Sequence, residues 1–182
     1  MVGQRNPDTG MHEAFLGLGS NLGDRERYLA DAICSLQQKG IRMLAQSPVY
    51  ETKAVGYVDQ PDFLNMVVRV QTELPPHELL RLMLAVERQC GRRRDVKWGP
   101  RTLDLDLLFY DNLVLDGCDL AVPHPRLEER AFVLLPLCDL APDWVHPVSG
   151  LTVREMAEQV PGKGGVRRWE RPLANGCGPT EN

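Results

Sequence analysis

The sequence predicts an α+β, ferredoxin-like βαββαβ core: a mainly antiparallel sheet with two helices on one face, built up to a three-layer α/β/α arrangement by added C-terminal helices. Three observations predict it. Apolar residues run with strand, helix, strand, strand, helix and strand character in that order. Glycines, prolines and capping residues fall at the joints between these segments. The strands also carry apolar residues on both sides, so the sheet needs cover on both faces.

Each element has a local reason. Glu13 to Gly19 (EAFLGLG) is a short apolar run ending in glycines, read as a buried strand that Ser20 to Gly23 turns. A helix follows from about Asp24, with Tyr28, Leu29, Ala32, Ile33 and Leu36 at helical spacing and Gly40 placed as a left-handed C-terminal stop. Ile41 to Val49 reads as a strand, and Tyr50 to Pro61, which has no period, as a long loop. Leu64, Met66, Val68 and Val70 share one face of a third strand, with Asn65 and Arg69 on the other. Pro76 starts a second helix that runs to Cys90 and stops at Gly91.

Thr102 to Tyr110 (TLDLDLLFY) is the clearest period-two segment, with Leu103, Leu105, Leu107 and Phe109 expected on one side. Leu127 to Leu137 predicts a third helix, and Thr152 with Glu155 a capping box for a short fourth one. The domain is expected over residues 13–160, after a loose leader at 1–12. A Gly/Pro-rich tail at 161–182 follows, in which Val166 to Trp169 could add an edge strand.

The chain of 182 residues is 43% hydrophobic and 25% charged, ordinary for one globular domain that needs no disulfide or metal to hold its core. Its net charge of −4 gives the whole surface no electrostatic reason to bind nucleic acid or anionic lipid, so any anion site must be local. The longest apolar run, Ala131 to Cys138, is far shorter than the roughly 20 residues that span a bilayer. The leader lacks an apolar signal core, which favours the cytoplasm. Five scattered cysteines without a C-x-x-C pair predict reduced thiols, and the four histidines form no metal-binding spacing.

The informative stretch is GRRRDVKWGPRTLDLD, Gly91 to Asp106. Asp104 and Asp106 stand two apart on a strand, so both carboxylates leave the same face, about 6.6–6.8 Å apart along the backbone. Alone, such a pair suits a solvated strand face as well as a metal site. Beside it, Arg92, Arg93, Arg94, Lys97 and Arg101 oppose only Asp95, a local charge of +4 within ten residues of a chain whose total is −4. Guanidinium groups can neutralise a polyphosphate while the aspartates hold its Mg²⁺. Trp98, a large aromatic in this polar loop, can cover a flat ligand. GLGSNLG has one residue too many between its second and third glycines for a dinucleotide fingerprint, and no P-loop occurs. Two rivals use the same residues: a nucleotide-sugar transferase with an Asp-x-Asp metal site, and an RNA-binding ferredoxin-like module with the Arg loop on phosphates.

Four segments in order, GLGSNLGDR (Gly17 to Arg25), DQPDFLN (Asp59 to Asn65), GPRTLDLDLL (Gly99 to Leu108) and VPHPRLEERAFVL (Val122 to Leu134), give the chain a resemblance to the 6-hydroxymethyl-7,8-dihydropterin pyrophosphokinase family. The resemblance implies transfer of diphosphate from ATP to the pterin hydroxymethyl group, with release of AMP, in folate biosynthesis. It implies two Mg²⁺ ions as cofactor and ATP as co-substrate. The partners are then ATP and 6-hydroxymethyl-7,8-dihydropterin, without nucleic acid or membrane, on a chain expected to act as a monomer. By motif, Asp104 and Asp106 would ligate the metals, with Arg92 and Arg101 beside them as catalytic residues. Glu87, Arg94, Trp98, His124 and Arg130 would serve the nucleotide. Phe63 and Phe132 would sandwich the pterin, Asn65 would bind its polar edge, Thr52 and Val55 would meet it through backbone groups, and Trp98 would close over it. Phe63 stands where some members have Tyr, and Lys53-Ala54 where some have two prolines.

Overall fold

The structure, a computed structural model, describes residues 10–53, 59–91, 102–171 and 173. The chain order is β1 (His12–Ser20), α1 (Arg25–Gln38), β2 (Arg42–Gln46), β3 (Tyr50–Thr52), β4 (Phe63–Thr72), α2 (Pro76–Gln89) and β5 (Asp104–Tyr110). A small β6–β7 pair (Leu115–Asp116 and Ala121–Val122), α3 (Ala131–Leu140), α4 (Val153–Gln159) and β8 (Val166–Arg168) follow. The six-stranded sheet runs β5-β1-β4-β3-β8, with β2 also on β4, and all its pairings are antiparallel. This is the α+β, ferredoxin-like core expected from the order of elements.

The pleat sends alternate residues to opposite layers. Ala14, Leu16 and Leu18 of β1 and Leu64, Met66, Val68 and Val70 of β4 pack with Leu29, Leu36, Leu79 and Met83 of α1 and α2. Phe15 and Val67 face the other way, onto Val133, Leu134 and Leu137 of α3 and Met156 of α4. The sheet is therefore the middle of three layers. Helix boundaries follow their chemistry: the Asp24 side chain accepts the N–H of Arg27, Pro76 opens α2, and Gly40 and Gly91 adopt positive φ where α1 and α2 end. Thr152 and Glu155 form the reciprocal capping box of α4. Among the described residues no helix is long and apolar enough to cross a membrane.

The structure departs from the sequence reading in four places. Tyr50–Thr52, read as loop, is a strand: Ser47, which exchanges backbone and side-chain hydrogen bonds with Val67, carries the pairing across from β2 to β3. Three residues are too few to show a period. In β5 the register against β1 slips between Leu107 and Phe109, so Leu108 and Phe109 both reach the α3 layer, and Phe109 leaves the face that Leu105 and Leu107 share. The third helix begins later than expected, at Ala131, because Leu127–Glu129 is a 3₁₀ turn and Arg130 is extended between the two. Finally, Cys90, Cys118 and Cys138 are free thiols as expected, but Cys34 is disulfide-bonded, which scattered cysteine spacing does not signal.

His146, edge-on to the Phe109 ring with centres 5.7 Å apart, gives the fold a pH dependence. Its Nδ1 accepts the backbone N–H groups of Val148 and Ser149 at 3.2 and 3.1 Å, so the ring is held neutral with its proton on Nε2, 3.8 Å from Glu128 Oε1. Burial, opposed by Glu128, lowers its pKa below the ordinary 6.5. The unfolded chain then binds the proton more strongly, so this contribution is full above pH 6.5 and is lost as pH falls through the lowered folded value. Melting temperature should decline on acidification from pH 7 to about pH 5, and His146→Gln should flatten that slope. An unchanged slope in the variant would refute this role.

Candidate active site

The site grows out of one face of three adjacent strands. Gly17 and Gly19 of β1 pair with Asp106 and Asp104 of β5 on one side and with Val67 and Asn65 of β4 on the other. All six positions look toward α3, and the two glycines leave a floor without side chains. A cavity of about 250 Å³ opens there. Asp104, Asp106, Thr52, Phe63, Asn65 and Phe132 line it. It lies just below the roughly 300–1,000 Å³ of most ligand pockets, a size for a small flat heterocycle more than for a whole nucleotide.

Its two ends differ in chemistry. At one end Phe63 from β4 and Phe132 from α3 supply aromatic surface, and the Asn65 amide donates to Thr52 Oγ1 at 3.0 Å. That bond fixes the amide plane, and Asn65 is only 8% exposed, so its carbonyl oxygen is aimed rather than free to rotate. At the other end, Asp106 faces, among the described residues, Nε2 of His124 at 3.8 Å and a guanidinium nitrogen of Arg130 at 3.7 Å, both beyond hydrogen-bond distance. The extended backbone at Arg130 places its guanidinium beside Asp106 and 5.6 Å from the Phe132 ring centre.

His124 is held from its backbone, whose N–H donates to Leu108 O at 3.0 Å. Its Nδ1 accepts the N–H of Arg126 at 3.2 Å, which leaves the proton on Nε2, the nitrogen directed at Asp106. Burial first, then the Arg130 and Arg126 cations against the opposing Asp104 carboxylate, hold its pKa down at about 4. The neutral ring is thus a hydrogen-bond donor into the site.

Glu87 behaves differently from a cavity residue. It is 3% exposed, and its carboxylate accepts the backbone N–H of Leu105 at 2.9 Å. Leu105 stands between the two aspartates, so this bond from α2 holds the strand segment that presents both of them. The structure therefore brings together Asp104, Asp106, Thr52, Phe63, Asn65, Phe132 and Arg130, with His124 adjacent and Glu87 behind β5. Arg92, Arg94, Trp98, Arg101 and Val55 lie outside the described residues. Sequence reasoning missed the roles of Gly17 and Gly19, and Arg126 and Glu129, which also border the cavity. The alternation of small residues opposite Asp104 and Asp106 is the signal for the first pair; the second has none, since it depends on the 3₁₀ turn.

Residues 15–142 match the family model described as 7,8-dihydro-6-hydroxymethylpterin-pyrophosphokinase. The chain is similar to the 2-amino-4-hydroxy-6-hydroxymethyldihydropteridine pyrophosphokinase of Bacillus subtilis, 48% identical over 128 residues that cover 70% of this chain and 77% of that one. It is 47% identical to the enzyme of the same name from Methylorubrum extorquens over 146 residues, 80% of this chain and 91% of that one. It is also similar to the folic acid synthesis protein fol1 of Pneumocystis carinii, 43% identical over 80% of this chain, but spans only 20% of that protein's length. Among solved structures, wild-type Plasmodium falciparum HPPK-DHPS with pterin and p-hydroxybenzoate superimposes with a TM-score of 0.67 at 17% identity, covering 87% of this chain and 45% of that one. That likeness bears on the fold alone.

Proposed function

The chain belongs to the 7,8-dihydro-6-hydroxymethylpterin-pyrophosphokinase family, and from that premise we propose how its residues divide the transfer of diphosphate from ATP to 6-hydroxymethyl-7,8-dihydropterin in folate synthesis. The observation that carries the assignment is the placement of a carboxylate pair at one end of a cavity whose other end is aromatic and amide-lined. Phe63 and Phe132 stack on the pterin, and Asn65, oriented by Thr52, reads its hydrogen-bonding edge. Arg130 and the neutral His124 donate to the polyphosphate. Arg92, Arg94, Arg101 and Trp98 are assigned to the nucleotide from the sequence motif.

The donor set fits Mg²⁺. Two hard carboxylates on one strand face, without a third potential protein ligand grouped with them among the described residues, are what this ion takes when substrate phosphates complete its shell. Two Mg²⁺ ions held by Asp104 and Asp106 would neutralise charge on the transferring diphosphate and favour in-line attack at the β-phosphorus. The chain's own contribution is positioning: it presents the pterin hydroxymethyl group on the carboxylate side and needs no covalent intermediate.

Mass spectrometry of the reaction products tests the proposal. ATP, the pterin alcohol and Mg²⁺ should yield AMP and the pterin diphosphate in equal amounts, and a chelator should abolish both. Formation of ADP would overturn diphosphate transfer, and turnover undiminished by the chelator would overturn the metal assignment.

A further inference from the structure

GLGSNLGDR ends in polar residues that the chemistry above leaves unused, and the tail beyond the family match at residue 142 carries a strand whose purpose the motifs do not give. The structure joins the two. Arg25, the first residue of α1, sends one guanidinium nitrogen to Glu51 Oε2 at 2.9 Å and to the carbonyl of Asp62, also at 2.9 Å. Glu51 immediately precedes Thr52, and Asp62 immediately precedes Phe63, both lining the cavity. One side chain thus spans the two ends of the connection between β3 and β4, one residue away from a cavity residue at each end. Asn21, 1% exposed, adds to the second end by donating to Gln60 Oε1 at 2.9 Å and to Pro61 O at 3.0 Å.

The C-terminal strand backs this tie. β8 pairs with β3 from Tyr50↔Arg168 to Thr52↔Val166, and Arg167 makes a second ion pair with Glu51 at 2.7 Å. Trp169 packs its indole 5.2 Å from the Arg25 guanidinium, donates from Nε1 to Glu26 at 3.1 Å, and bonds from its backbone N–H to Val49 O at 2.8 Å. Glu51, with only 13% of its side chain exposed, is held by one cation from each end of the chain. Ion pairs this close to a binding surface act through geometry: both bonds leave one guanidinium nitrogen, whose two N–H groups are fixed in the guanidinium plane, whereas the ammonium of Lys rotates freely and fixes the two acceptors less well.

We propose that Arg25, braced by Trp169 and the β8 strand, is a positioning residue for the pterin end of the site, setting the spacing of Thr52 and Phe63 without touching substrate. This rests on the assignment of the cavity to the pterin. It makes the C-terminal segment part of the working enzyme rather than an appendage.

The test measures pterin and ATP kinetics and calorimetric pterin binding for the full-length enzyme, Arg25→Met and Arg25→Lys. Met keeps the aliphatic stem beside Trp169 and removes the donors, while Glu51 retains Arg167. Arg25→Met should raise the KM and Kd for the pterin about ten-fold, with the KM for ATP changed by less than about two-fold, and Arg25→Lys should fall between Met and the parent. If Arg25→Met fails to fold, Trp169→Phe, which keeps a ring against Arg25 but loses the bond to Glu26, must show the same selective rise. Unchanged pterin constants, or equal rises for both substrates, would overturn the positioning role. Failure of the parent enzyme to bind pterin would instead overturn the cavity assignment, and the brace with it.

Discussion

Asp104→Asn and Asp106→Asn should each lower kcat by about 10³-fold or more, the scale expected when the charge that anchors a phosphoryl-transfer metal is removed. Both side chains are partly exposed at the cavity and neither belongs to an apolar core, so circular dichroism should show melting within a few degrees of the parent. Asn keeps the shape and an acceptor oxygen, so lost activity reports charge and not volume. The two variants should then differ. Arg130 stands 3.7 Å from Asp106, so neutralising Asp106 should also raise the KM for ATP, whereas Asp104→Asn should act mainly on kcat. Titration of Mg²⁺ in steady-state assays, with AMP as the measured product, checks both. Full activity in either variant would defeat the carboxylate assignment.

That expectation could be written from the sequence because Asp-x-Asp on a period-two segment fixes a shared direction by geometry alone. The ladder Leu64, Met66, Val68 and Val70 was legible for the same reason, and all four residues reach the α1/α2 core. What escaped depends on contacts between distant segments. Phe109 departs from its period because an extra residue, Leu108, is accommodated in β5, and nothing local in LDLLFY says where a strand will slip against its neighbour. Tyr50–Thr52 becomes a strand only through β4 and β8, which lie more than ten and more than a hundred residues away. Glu87 is a helix residue whose meaning is set by one backbone N–H of β5, so a motif could name it but not say what it holds. The floor of the cavity is likewise a property of register: Gly19 lies between Asn65 and Asp104 because three strands align there.

Gly19→Ala should raise the Kd for the pterin about 30-fold, the equivalent of about 2 kcal/mol and of one to two buried hydrogen bonds. The added Cβ would lie 2.9 Å from Asn65 Oδ1 and 3.7 Å from Phe63 Cδ1. Gly19 does not adopt positive φ, so alanine fits its backbone and the conflict is with the side chain opposite. Asn65 must turn, which breaks its bond to Thr52 Oγ1 and moves the carbonyl oxygen proposed to meet the pterin. Gly17→Ala is the control on the same strand face, since the nearest atoms to its Cβ would be Leu108 carbons at 3.6–3.8 Å, an ordinary contact. Its effect on pterin binding should be several-fold smaller. Calorimetry on a double-mutant cycle isolates the cause: in an Asn65→Ala background, Gly19→Ala should change the pterin Kd by less than about two-fold, because the group it displaces is gone. An undiminished effect in that background would show that the methyl acts by filling the floor of the cavity and not through Asn65.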